Sequence, residues 1–150
     1  MARVHDNEII SYVVDLEKRY IVLDTKYLHR EAGINVEVRI EFINVGNHFF
    51  YDVLQHNIIL DIDEYSIEKF IEVNREFLKE RKAYGVPIYY ETEQELIAKL
   101  NNMKQKCFSV LSSVGLAGWV LAESMEVTER EIDYAYILNK HILARNYISR

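Results

Sequence analysis

Five histidines, His5, His29, His48, His56 and His141, and a single cysteine, Cys107, are the side chains best suited to proton transfer, metal ligation or nucleophilic attack. No two histidines stand at the helical spacing of a zinc motif, and Cys107 has no second cysteine with which to share a metal or a disulfide. His48 and His56 flank an aromatic segment, Phe49-Phe50-Tyr51. If the chain folds back there they meet, so they are the candidates for a pocket. Ser109, Ser112 and Ser113 lack the glycines that strain a hydrolase serine. Val114-Gly115-Leu116-Ala117-Gly118 has two glycines but neither a lysine nor a helix behind it, so it reads as a turn between strands rather than a phosphate loop. No catalytic set, metal site or cofactor is expected.

Carboxylates are denser. Asp61, Asp63, Glu64, Glu68 and Glu72 offer hard oxygen ligands, but the glycine and glutamate positions of a calcium-binding loop are missing. A plainer reading places Asp63 and Glu64 at a helix start, where negative charge meets the positive end of the dipole, and Glu68 and Glu72 on a solvated face. Glu91, Glu93 and Glu95 open a second helix in the same way. The first cluster is also the best place to dock a basic partner. Among eleven tyrosines, Tyr51 and Tyr65 lie nearest to it. Tyrosine brings contact area at low entropy cost. Asp61, Asp63, Glu64, Glu68, Tyr65 and Tyr51 are therefore the partner-binding candidates.

The chain has 150 residues, a net charge of −6 and a hydrophobic fraction of 49%. That length fits one domain, 1–150, with a core of its own. The acidic balance argues against nucleic acid, which needs clustered Lys and Arg. No apolar run is long enough to span a bilayer. Residues 1–7 carry no apolar stretch of an export signal, and the lone cysteine suits a reducing compartment, so the cytoplasm is the expected address.

The elements that must hold these groups follow from periodicity. Val36-Glu37-Val38-Arg39-Ile40-Glu41-Phe42 alternates without a break, which predicts a strand in a sheet with one dry and one wet face. Residues 8–16 and 20–27 read as a hairpin about Glu17-Lys18-Arg19, and 48–51 and 57–62 as further strand pieces. Asn44 to Asn47 reads as a bulge or turn. Over 64–82 the apolar residues Ile67, Phe70, Ile71, Phe77 and Leu78 recur at helical spacing, with Asp63 or Ser66 as cap and Gly85 beyond the end. Thr92 and Glu95 form a capping box for a second helix ending near Lys106. Residues 107–113 and 119–127 predict a hairpin. Thr128-Glu129-Arg130-Glu131 fits another capping box, which predicts a helix over 128–150, although Ile132, Tyr134, Tyr136 and Leu138 also alternate. The expectation is an α+β fold: a β-rich part (1–62), a helical pair (63–106), a hairpin (107–127) and a helical tail. Its mostly antiparallel sheet has about six strands.

Ile9 to Tyr27, Asn57 to Ile62 and Ser112 to Ala122 resemble small cytosolic proteins of Gram-positive bacteria, some encoded beside secreted polymorphic toxins and taken to be their immunity proteins. The likeness covers the chain to about Val127. Its motifs are structural, so no site residue is carried over. The resemblance implies a non-enzymatic binding protein that neutralises a toxin domain by covering its surface, and an acidic inhibitor suits a basic target. Two alternatives differ in class. A small-molecule binder or enzyme needs a pocket between sheet and helices with His48 and His56 converging in it. A self-associating module would use Ile137, Leu138, Ile142, Leu143 and Ile148 as a homo-oligomer contact.

Overall fold

Val36, Val38, Ile40 and Phe42 are buried and Arg39 between them is exposed, as a strand with one dry face requires. The computed structural model of the protein describes residues 4–131. Strands β1 (Asn7–Asp15), β2 (Tyr20–His29), β3 (Ile34–Ile43), β4 (Asn47–Tyr51), β5 (Ile58–Tyr65), β6 (Lys106–Val114), β7 (Ala117–Ala122) and β8 (Ser124–Glu131) form one antiparallel sheet in the order β4-β7-β6-β5-β1-β2-β3-β8. The protein is thus α+β with an antiparallel sheet.

The sheet folds over on itself. Phe42 on β3 and Phe108 on β6 stand four ladder steps apart, which in a flat sheet is about 19 Å. Their ring centroids are 5.7 Å apart. Ile21, Leu23, Ile59, Val110 and Val120 fill the space between the two halves. A buried polar chain runs along three neighbouring strands, β1, β2 and β3: Asn7 Nδ2 donates to Thr25 Oγ1 (3.0 Å), and Thr25 Oγ1 donates to the Val38 carbonyl (2.9 Å).

The two ends of the strand order are joined by a bent ribbon. β3 runs into β4 and β7 into β8, so one long strand pairs with another. The register passes from Ile43 opposite Ser124 to Asn47 opposite Leu121. Between those pairs Asn44, Val45 and Gly46 oppose only Ala122 and Glu123, which makes a bulge, and a bulge bends a strand. Ladder bonds continue through it, from Glu123 N–H to the Ile43 carbonyl (3.0 Å) and from Gly46 N–H to the Leu121 carbonyl (2.9 Å). Asn44 takes a left-handed φ of 53° there, which asparagine tolerates.

A helical layer covers part of the outer face. It comprises α1 (Ile67–Val73), α2 (Arg75–Arg81), a 3-10 turn (Lys82–Tyr84) and α3 (Glu93–Asn102). Phe70, Ile71, Leu78, Leu96 and Leu100 pack on Cys107, Trp119 and Leu121. Val120 and Ala122 face the inside of the sheet instead, so β7 is apolar on both faces.

Several expectations need correction. Among the described residues the sheet has eight strands rather than about six; one more strand arises because residues 117–131 split at Glu123, where the bend hands the chain from β6 to β3. The segment 64–82 is neither one helix nor helical from its start. Glu64 and Tyr65 still belong to β5, and Ser66 is the cap, its Oγ accepting Lys69 N–H at 3.1 Å. The helix then breaks at Asn74, whose side chain and backbone N–H both turn back to the Phe70 carbonyl, so the middle of the chain holds three α-helices where two were expected. Thr92 does cap α3, accepting Glu95 N–H at 3.2 Å, but Glu95 reaches back to Glu91 N–H (2.9 Å) rather than to the cap itself. That helix stops at Asn102, short of Lys106, where Lys104 turns left-handed (φ 56°). Gly118 is a strand residue, not a turn residue: a Cβ there would lie 1.8 Å from the Phe49 carbonyl oxygen. Thr128 to Glu131 form strand in β8, not the start of a helix, because β3 offers a free ladder, and Arg130 Nη2 meets Glu37 Oε2 at 2.8 Å. Residues 132–150, and the homo-oligomer contact expected of them, lie outside the described residues.

Candidate partner-binding face

The pairing of β4, β7, β6 and β5 sets the residues of their outer face in rows. Asn47, Leu121, Cys107 and Tyr65 make the first, under the helices. Phe49, Trp119, Ser109 and Asp63 make the second. In the third, Tyr51 pairs with Ala117, Leu111 follows in the β6 register, and Asp61 pairs with Leu111. The helices stop short of this row. Tyr51 is 47% exposed and Leu111 36% exposed, and Asp61 is exposed. At strand spacing the row is about 14 Å long. It forms a strip with an aromatic end, an apolar middle and an acidic end, and Asp63 stands one row inward.

The candidates named from the sequence divide here. Asp61, Asp63 and Tyr51 share the strip. Among the described residues neither Asp61 nor Asp63 has a salt-bridge partner; Asp61 Oδ1 accepts the Ile62 N–H at 2.8 Å. Glu64 points the other way along β5 and is held by Lys106, Nζ to Oε1 2.8 Å. Tyr65 lies half-buried against the helical layer, with Lys69 Nζ 6.0 Å from its ring centroid. Glu68 is exposed on the first turn of α1, as the plainer reading of the cluster had it. Asp63 departs from that reading, because it is a strand residue and no helix dipole explains it.

Leu111 and Ala117 escaped the sequence reading. A signal for Leu111 existed: at period two it falls between Ser109 and Ser113, an apolar residue flanked by polar ones on one face of the strand. Ala117 carries no signal of its own.

His48 and His56 do not converge. His48 sits at the start of β4, its ring 5.4 Å from that of Phe50, beside a groove of about 390 Å³ lined by Val14, Leu16, Arg19, Tyr20 and Val45. Burial pushes its imidazole below the ordinary value. His56 lies beyond the other end of β4, with Nδ1 3.5 Å from Glu8 Oε1, in an open cleft of about 1110 Å³. That cleft is lined by charges of both signs, Asp6, Glu8 and Glu31 against Lys26 and Arg30. The space between sheet and helices, where a pocket was expected, is occupied by Phe70, Trp119, Leu96 and their neighbours. The ring centroids of Phe70 and Trp119 are 4.9 Å apart.

Cys107 is fully buried on β6, and burial pushes its thiol up to about 12, far from the thiolate that nucleophilic chemistry needs. Among the described residues no three His, Cys, Asp or Glu side chains gather as a metal ion would require, and no helix is long and apolar enough to cross a membrane. No family model matches the chain, and neither a curated protein nor a solved structure does.

Proposed function

We propose that the chain is a non-enzymatic binding protein of the immunity type, which neutralises a basic toxin domain by covering its surface with the strip of Tyr51, Leu111, Asp61 and Asp63. The observation that carries this reading is the row itself. Tyr51, the exposed Leu111 and Asp61 share the row that the helices leave bare, Asp63 stands half-buried one row inward, and neither carboxylate has an ion pair among the described residues. Tyrosine and leucine supply a desolvated centre, and the carboxylates supply steering and register toward a positive surface. The resemblance of 9–27, 57–62 and 112–122 to toxin-immunity proteins supports the same reading.

The test is a pull-down from cells that express the neighbouring open reading frames, with bound protein identified by mass spectrometry. One basic partner is expected, released at high salt and lost with the double substitution Asp61→Lys, Asp63→Lys. A partner that the double variant retains unchanged would remove the strip from the interface.

A further inference from the structure

The sheet has two edges, and they are built differently. β8 carries Glu126, Glu129 and Arg130, all exposed, and such charges discourage the addition of another strand. β4 reads Asn-His-Phe-Phe-Tyr, with no lysine, no carboxylate and no proline. Its protection is its five-residue length and the bulge at Asn44 to Gly46, and no charged side chain stands on it.

The backbone of β4 shows which groups face outward. The Phe49 carbonyl points at β7, since a Cβ on Gly118 would lie 1.8 Å from it. Along a strand these directions alternate, so Asn47, Phe49 and Tyr51 are turned to β7, and His48 and Phe50 to the free edge. The His48 N–H is taken by Asn47 Oδ1 at 2.7 Å. The His48 carbonyl and both backbone groups of Phe50 have no ladder partner among the described residues.

We propose that this bare edge takes up an extended, lysine- or arginine-bearing segment of the partner as an added strand. The inference rests on reading the neighbouring strip as the partner-binding face. Main-chain hydrogen bonds to His48 and Phe50 supply attachment, and alternate side chains of the added strand fall on the side of Phe49 and Tyr51. The charge there is mixed along the strand: Arg81 stands over the Phe49 ring at 5.6 Å, Asp52 follows Tyr51 directly, and Asp61 lies three strands away from β4, so a basic side chain of the added strand belongs at the Tyr51 end. Neither carboxylate has an ion pair among the described residues. A second copy of the chain suits the edge less well, because it brings a net charge of −6 against another −6, whereas a basic segment is drawn in by the same charge.

The probe is a capped, fluorescein-labelled hexapeptide alternating lysine and valine, titrated into the full chain by anisotropy. Three controls accompany it: the same peptide N-methylated on alternate residues, its glutamate counterpart, and the Asp61→Lys, Asp63→Lys variant. Strand addition predicts binding that N-methylation weakens at least about tenfold, that the glutamate peptide lacks, and that slows exchange of the Phe50 amide proton. Equal binding of the N-methylated peptide, an unchanged Phe50 amide, or no binding of the parent peptide would overturn it. Binding that survives N-methylation yet fails in the charge-reversal variant would overturn strand addition while leaving the acidic strip as the interface. Binding that ignores both changes would count against the two together.

Discussion

Gln105 grips Gly46. Its Oε1 accepts the Gly46 N–H at 3.1 Å, and its Nε2 donates to the carbonyls of Asn44 and Met103, each at 3.2 Å. One side chain, from the segment after α3, thus fills the bend by which β3 becomes β4. Gln105 is only 3% exposed, and a buried polar side chain of this kind is stable only because its own groups are answered.

Removing that grip should be measurable. Gln105→Ala leaves the Asn44 and Met103 carbonyls without the amide, while Gly46 N–H keeps Leu121. A loss of about 1–3 kcal/mol is expected in urea denaturation. Gly46→Ala places a Cβ 2.7 Å from Gln105 Oε1, so it should destabilise the native chain and do so much less in the Gln105→Ala background. A coupling of about 1 kcal/mol is expected in the double-mutant cycle. Strict additivity would show that the two residues do not act on each other.

Gly118→Ala should be among the most damaging small changes in the sheet. The new Cβ would meet a backbone oxygen, not a side chain that could swing away, and φ is 146°. A loss above about 3 kcal/mol, or failure to fold, is expected from the thermal transition or from soluble yield. Near-native stability would mean that β4 and β7 can separate at no cost.

Cys107 should be silent in the folded protein. With its thiol pushed up to about 12, an aromatic disulfide reagent at pH 8 should react only after unfolding in urea. Prompt reaction of the native chain would contradict the burial of β6 under the helices.

His48 should make stability fall on the acid side. Burial lowers its folded pKa below the ordinary 6.5, so the unfolded chain takes the proton more readily. Its contribution is constant above 6.5 and turns unfavourable as pH drops through 6.5 toward the folded value. His48→Gln should flatten the decline in Tm between pH 7.5 and 5.5. An equal decline in both proteins would assign it to other groups.

Local pattern carried much of this fold. Period two over 36–42 made β3, Ser66 and Thr92 capped their helices, and Ile67, Phe70 and Ile71 faced inward as their spacing required. These features depend on near neighbours, and near neighbours are written in the sequence. Thr128 to Glu131 show where that information ends. The same residues satisfy a capping box and a strand, and the decision came from the free ladder of β3, ninety residues away in the chain. The strip is the same kind of case. Asp61 and Asp63 were visible as charges, and Tyr51 as an aromatic, but ten residues and two intervening strands separate Tyr51 from Asp61. Register across β4, β7, β6 and β5 aligned them, and the extent of the helical layer left them bare. The amino-acid order by itself determined which faces are dry, where helices begin and which side chains carry charge. Only the tertiary structure decided which charges keep company, because side-chain neighbourhood across a sheet is set by pairing between distant strands and not by distance along the chain.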